Sequence, residues 1–251
     1  MAETPAGGIL AGQVVLVTGS SAGIGAATAE LLSSGGATVV VNSVRSVEAG
    51  TALAARLGNG AVYLRGDVSD AAEASSLVES AVRRFGRLDA LVNNAGTTVR
   101  IPHHDLESAS PEVWRRIFEV NVIGTWQTTV AASPHLRASG RGQVVNVSSL
   151  AGVRPVGSSI PYACSKAAVN HMTRLLAGTL GPDVRVNAVA PGLVDTGWTA
   201  DWDDMRRRVE SSAPLRRSAD PTDVARAIVG LMEATYVTGE VLVVDGGLQL
   251  R

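Results

Sequence analysis

Short aliphatic runs alternate along this chain with longer stretches of helical period, and that alternation restricts the fold more than any other feature. The runs at 14–18, 38–42, 62–65, 90–93, 143–148, 185–190 and 241–245 read as strands. They are rich in Val, Leu and Ala with little polar alternation, as strands buried on both faces are. The stretches 24–34, 47–57, 71–85, 111–138, 162–180 and 221–232 read as helices. Strands separated by helices cannot pair through tight turns, so the pattern predicts an α/β fold: a seven-stranded parallel sheet, doubly wound, with helices on both faces.

At 251 residues, with no linker rich in Pro, Gly or Ser, the whole span 1–251 reads as one domain. One segment breaks the alternation. Residues 194–217 are long and charged, with Trp198, Trp202 and Met205 embedded in them, and are expected to form a lid over a ligand. A net charge of -1 argues against a nucleic-acid partner. No apolar run is long enough for a spanning helix, so no membrane role is expected. Residues 1–8 have neither a basic start nor a hydrophobic stretch and read as a short mobile lead-in, not a signal peptide. Cys164 is the single cysteine and cannot form an internal disulfide, which fits a reducing, cytoplasmic setting.

The first predicted strand runs into Thr18-Gly19-Ser20-Ser21-Ala22-Gly23-Ile24-Gly25 and then at once into a helix. Glycines let the backbone approach a ligand closely, and the helix start offers free N–H groups and a positive dipole end to a pyrophosphate. The spacing G-x-x-x-G-x-G differs from the common G-x-G-x-x-G, but its place in a βαβ unit marks a dinucleotide site. After the second strand, Asn42-Ser43-Val44-Arg45-Ser46 holds no carboxylate for an adenosine ribose. Arg45 with neighbouring hydroxyls would suit a 2′-phosphate, so NADP(H) is expected over NAD(H).

The chain has twenty-one arginines and one lysine, Lys166, four residues after Tyr162. On a helix those two positions share a face. A cation beside a phenol favours the phenolate, so the pair is expected to act as a general acid and base with a lowered Tyr162 pKa.

Further stretches follow in order: Asp67-Val68, Asn93-Asn94-Ala95-Gly96, Asn121, Ser148-Ser149, Tyr162-x-x-x-Lys166, and Pro191-Gly192 with Val194 and Thr196. With the glycine turn, this set resembles the short-chain dehydrogenases/reductases of the classical type over nearly the whole chain. The resemblance implies a single Rossmann-type domain and an NAD(P)-dependent oxidoreductase acting on a ketone or secondary alcohol. It implies a catalytic tetrad of Asn121, Ser149, Tyr162 and Lys166, with Ser149 favoured over Ser148 by its distance from the tyrosine. It also implies cofactor contacts at Gly19, Ser21, Gly23, Ile24, Asn42, Ser43, Arg45, Asp67, Val68, Asn94, Ala95, Gly96, Tyr162, Lys166, Pro191, Gly192, Val194 and Thr196. Asn93 and Asn94 can alternatively tie strands together, and Asn121 can mark a helix kink.

His103 and His104 lack further ligands at metal spacing, so no metal is expected. The run Arg206-Arg207-Arg208 invites an anionic-substrate reading, but reads first as a solvated helix face. Two narrower functions stay open: a 3-oxoacyl-thioester (acyl-carrier-protein) reductase, and a non-catalytic dinucleotide-binding sensor. Similar proteins assemble through the two long helices and the last strand, which implies a homotetramer.

Overall fold

The computed structural model describes residues 10–250; the lead-in expected over residues 1–8 lies outside the described residues. Seven strands form one sheet: β1 (Val14–Val17), β2 (Thr38–Ser43), β3 (Val62–Arg65), β4 (Ala90–Asn93), β5 (Gly142–Val147), β6 (Val184–Pro191) and β7 (Val241–Val244). Their order is β3-β2-β1-β4-β5-β6-β7, and every neighbouring pair is parallel. In β1, Val15 and Val17 pack into one core and Val14 and Leu16 into the other. That period of two on a strand with no polar residue is what a sheet covered on both faces requires.

Helices α1 (Gly23–Ser34), α2 (Val47–Leu57) and α8 (Pro221–Glu233) cover the first face, through residues such as Leu32, Leu53 and Ile228. Helices α3 (Ala71–Phe85), α5 (Gly124–Ala138) and α6 (Ile160–Leu180) cover the second, through Leu77, Leu136 and Leu176. The strands and helices stand within a few residues of their predicted bounds, with two exceptions.

The helix expected over 111–138 is not regular. It consists of α4 (Pro111–Phe118), a π-helical turn (Glu119–Ile123) and α5. No proline or glycine lies within the turn itself, and its cause is tertiary. The Asn121 side chain is drawn into contacts with Thr97 and Ser165, and Gly124 packs so closely on Val68 that a Cβ would stand 3.0 Å from the Val68 carbonyl oxygen. The second exception is the segment expected as a lid, which contains a helix the sequence pattern did not separate, α7 (Asp203–Ser212). Arg206 anchors its start to Asp195 and Asp203, both at 2.7 Å. Among the described residues, no helix is long and apolar enough to cross a membrane.

Candidate active site

The sheet order reverses at β1 and β4, and the crevice beyond their carboxyl ends is where open α/β sheets take ligands. A cleft of about 1360 Å³ opens there. The glycine turn forms one wall. Gly19 has φ +61°, and a Cβ on it would stand 2.8 Å from the Ala95 Cα, so only glycine lets the two turns meet. Helix α1 starts with no side-chain cap and no acid in its first turn. Its free N–H groups and positive dipole end therefore fit an anionic pyrophosphate.

Asn42 is buried, and its side chain braces this wall. It accepts from the Gly19 amide at 3.2 Å and donates to the Leu64 and Gly66 carbonyls. Ser43 is also buried and shares a 3.0 Å hydrogen bond with the Tyr63 hydroxyl, while Arg45 is exposed on the cleft rim. Asn94 donates from one nitrogen to the Thr18 and Gly19 carbonyls, both at 2.9 Å. Asn93 joins Thr129 and Asn146 in the interior. Both asparagines thus have the tying role that was the alternative reading. Asp67 and Val68 line the far end, with the Asp67 carboxylate accepting from the Ser69 amide and hydroxyl. Pro191, Gly192, Val194 and Thr196 close the opposite side.

Helix α6 delivers Tyr162 and Lys166. Ser159 caps it, accepting from the Tyr162 amide, and Pro161 in the first turn is preset for the helix. Lys166 is 4% exposed; its ammonium donates to the Val147 carbonyl at 2.8 Å and lies 5.7 Å from the Tyr162 ring centre. The two serines after β5 divide their tasks. Ser148 is buried and donates to the Lys166 carbonyl, whereas Ser149 lines the cleft and hydrogen-bonds the Tyr162 phenol. Trp198 meets the Tyr162 ring edge-on, with ring centres 6.4 Å apart.

The expected lowering of the Tyr162 pKa is corrected by this geometry. Burial raises the phenol above its ordinary value, and the Ser149 hydrogen bond only partly opposes it. Burial also pushes the Lys166 ammonium down to about 8. The Val147 carbonyl, not the phenol, takes the hydrogen bond of that ammonium, and desolvation sets the direction of both shifts.

Every residue of the expected site lines the cleft except Asn121. Asn121 is fully buried in the layer behind it. Its oxygen accepts from the Thr97 amide at 2.8 Å, and its nitrogen donates to the Thr97 carbonyl and the Ser165 hydroxyl. Sequence reasoning missed the Thr98–Ser158 hydroxyl pair at 2.6 Å, which joins the loop after β4 to the loop before α6. It also missed Arg154, Leu248 and Gln249 as cleft residues. No periodicity signals contacts between loops so far apart in the chain.

A seven-stranded parallel sheet with a glycine-turn cleft and a tyrosine–lysine helix defines a dinucleotide-dependent oxidoreductase. The family profile described as enoyl-(acyl carrier protein) reductase matches residues 19–249. A relative named as ketoacyl reductase 2 of the granaticin polyketide synthase, from Streptomyces violaceoruber, is 60% identical, covering 94% of this chain and 96% of its own. The cis-4-hydroxycyclohexanecarboxylate dehydrogenase of Sinomonas cyclohexanicum is 40% identical, covering 96% and 98%. Among solved structures, a short-chain glucose/ribitol dehydrogenase from Brucella melitensis superposes with a TM-score of 0.89 at 32% identity, covering 95% of this chain and 97% of that one. The chain belongs to the classical short-chain dehydrogenase/reductase family. It is an oxidoreductase acting on CH–OH and C=O groups with a nicotinamide cofactor.

Proposed function

We propose that the chain is an NADP(H)-preferring ketone reductase in which Tyr162 is the general acid and base. The observation that carries this reading is the convergence of Ser149, Tyr162 and Lys166 at the cleft beside the uncapped start of α1. The nicotinamide supplies or takes up the hydride when bound. The turn from Gly19 to Ile24 would hold its pyrophosphate, Asp67 and Val68 the adenine end, and Asn94, Ala95 and Gly96 the cleft floor. Pro191, Gly192, Val194 and Thr196 would hold the carboxamide side. Arg45, exposed where no carboxylate follows β2, favours the 2′-phosphate.

Ser149 orients the substrate oxygen, and Tyr162 gives it a proton in reduction or removes one in oxidation. The raised phenol pKa keeps the ring protonated near neutrality, which suits the donating role. Lys166 holds positive charge beneath that proton. Asn121, which does not reach the cleft, acts as a positioning residue through Thr97 and Ser165. Residues 194–217 serve as the lid. The polyketide relative favours one narrower reading, a 3-oxo group on a thioester-bound chain. A homotetramer in the reducing cytoplasm completes the proposal; a disulfide-linked form through Cys164 isolated from cells would contradict that location.

A ketone screen following nicotinamide absorbance with both cofactors tests the reading. Wild type should favour NADPH in kcat/KM. Tyr162→Phe should lose on the order of 10³-fold or more in turnover while cofactor affinity stays unchanged. Unchanged turnover would remove Tyr162 from the mechanism, and a preference for NADH would overturn the cofactor assignment.

A further inference from the structure

Trp198 stands on the lid, yet its indole reaches the floor of the cleft. Its ring meets that of Tyr162 edge-on, with centres 6.4 Å apart. Its Cη2 atom lies 3.7 Å from the place a Cβ would take on Gly96, and the Lys166 ammonium lies 3.7 Å from that same place. The indole tip thus shares one small space with Gly96, Tyr162 and Lys166, three residues expected to meet the cofactor.

Carbon atoms in contact keep about 3.5–4.0 Å between centres. A ligand layer lying between Gly96 and the indole would need that spacing on both sides, about 7 Å or more. Here a single carbon bonded to Gly96 would already touch the ring. Trp198 in this position and a ribose or nicotinamide ring seated on Gly96 therefore exclude one another. The adenine end of the site lies apart from this contact. Asp67 follows β3, three strands away from β4 and Gly96, about 14 Å at the usual strand spacing.

The position belongs to the lid as a whole and not to one side chain. Around Trp198 the backbone is fastened: the Thr199 hydroxyl donates to the Val194 carbonyl at 2.7 Å, and the Asp195 amide to the Ala219 carbonyl at 2.9 Å. Four residues on, Trp202 lies beneath the Arg100 guanidinium, which also binds Asp204 at 2.6 Å. Arg100 comes from the loop after β4, so the lid meets the body of the fold a second time there. Trp198 itself is 47% exposed, and among the described residues its indole N–H makes no hydrogen bond. An edge-on aromatic contact and an exposed ion pair are each weak, so they hold the lid down without locking it.

We propose that Trp198 is an autoinhibitory plug: with the lid in this position its indole bars the nicotinamide half of the dinucleotide from the cleft floor, while the adenine half can still bind. The lid must lift for the whole cofactor to seat. The inference rests on the dinucleotide reading above and adds a control on entry to that site.

Stopped-flow mixing with NADPH, followed by the nicotinamide's own fluorescence, tests it. Adenosine 2′,5′-bisphosphate, titrated by calorimetry, probes the adenine half alone. A closed state that excludes a ligand lowers its apparent association by the fraction of time the site is open. Trp198→Ala should therefore raise the NADPH association rate about tenfold or more. The wild-type rate should level off at high NADPH, where lid opening limits it, and the variant's should keep rising in proportion. Bisphosphate affinity should be the same in both proteins, which also shows that the variant is folded. An association rate unchanged or slowed by Trp198→Ala, or a bisphosphate affinity that rises with it, would overturn the plug and leave the dinucleotide reading intact. Failure of the wild type to bind either ligand would defeat that reading, and the plug with it.

Discussion

Lys166 is the residue at which stability and chemistry pull apart most clearly. Its ammonium is buried, and desolvation lowers its pKa from 10.5 to about 8. The unfolded chain keeps that proton to higher pH than the folded chain does. Between about pH 8 and pH 10 the unfolded state therefore binds more protons, and raising the pH stabilises the fold. Below pH 8 the folded protein carries the full cost of the buried charge, on the order of 3 kcal/mol. No other lysine competes in this window, and the Tyr162 phenol, with its raised pKa, stays protonated through it. Urea unfolding of wild type and Lys166→Met at pH 7.5 and pH 9.5 measures the effect. The wild type should gain about 1–2 kcal/mol on the variant across that interval, while the variant loses turnover at both pH values. Parallel curves would show that the ammonium is not desolvated as the geometry requires.

Between elements, a buried polar junction lies at the amino ends of the strands, opposite the cleft. Asp89 immediately precedes β4, and its carboxylate is fully buried. It accepts from the Val14 amide of β1 at 2.8 Å, from Arg87 at 2.9 Å and from Arg141, which precedes β5, at 3.0 Å. Burial alone would raise its pKa, but the hydrogen bonds from Arg87, Val14 and Arg141 outweigh it and hold the carboxylate below its usual range. Its contribution is present above the unfolded value near 3.9 and is lost as pH falls through the lower folded value. Asp89→Asn should cost about 2–4 kcal/mol at pH 7. That gap should hold to pH 5 and narrow below about pH 4, with turnover per folded molecule unchanged. A gap independent of pH down to 3 would remove the charge from the account. Nothing in the sequence singled out Asp89, because its three partners, Val14, Arg87 and Arg141, come from separate places in the chain. The strands themselves were legible, since burial on both faces leaves an aliphatic run such as Val14–Val17 no other reading. Ser149 was legible only through the resemblance; its orientation against Ser148 needed the fold. The π turn at Asn121 and the Thr98–Ser158 pair escaped because both depend on distant loops. The Tyr162 pKa went the wrong way because spacing shows a neighbour's charge but not how dry the site is.

On the scale of the whole molecule, the surface carries apolar faces that one chain leaves uncovered. Ile123, Trp126 and Val130 fall on one side of the π turn and α5, at 46%, 48% and 48% exposure. Leu175 on α6 is 60% exposed. Large apolar side chains grouped at helical spacing on a surface mark an interaction face more often than a solvated one. A second open feature lies at the end of the sheet, where β7 pairs only with β6 and exposes Leu242. If each of these faces pairs with its own copy about a two-fold axis, the contacts would close into a tetramer and leave no open filament. Light scattering coupled to size exclusion should accordingly find four chains per particle at micromolar concentration. Trp126→Glu places a charge in the middle of the helical face and should reduce the particle to two chains or one, two if pairing through β7 holds without the helical face. Trp126 does not line the cleft, so cofactor affinity of the smaller particle should stay close to that of wild type. A wild-type protein that is monomeric under these conditions would show that these faces are simply hydrated.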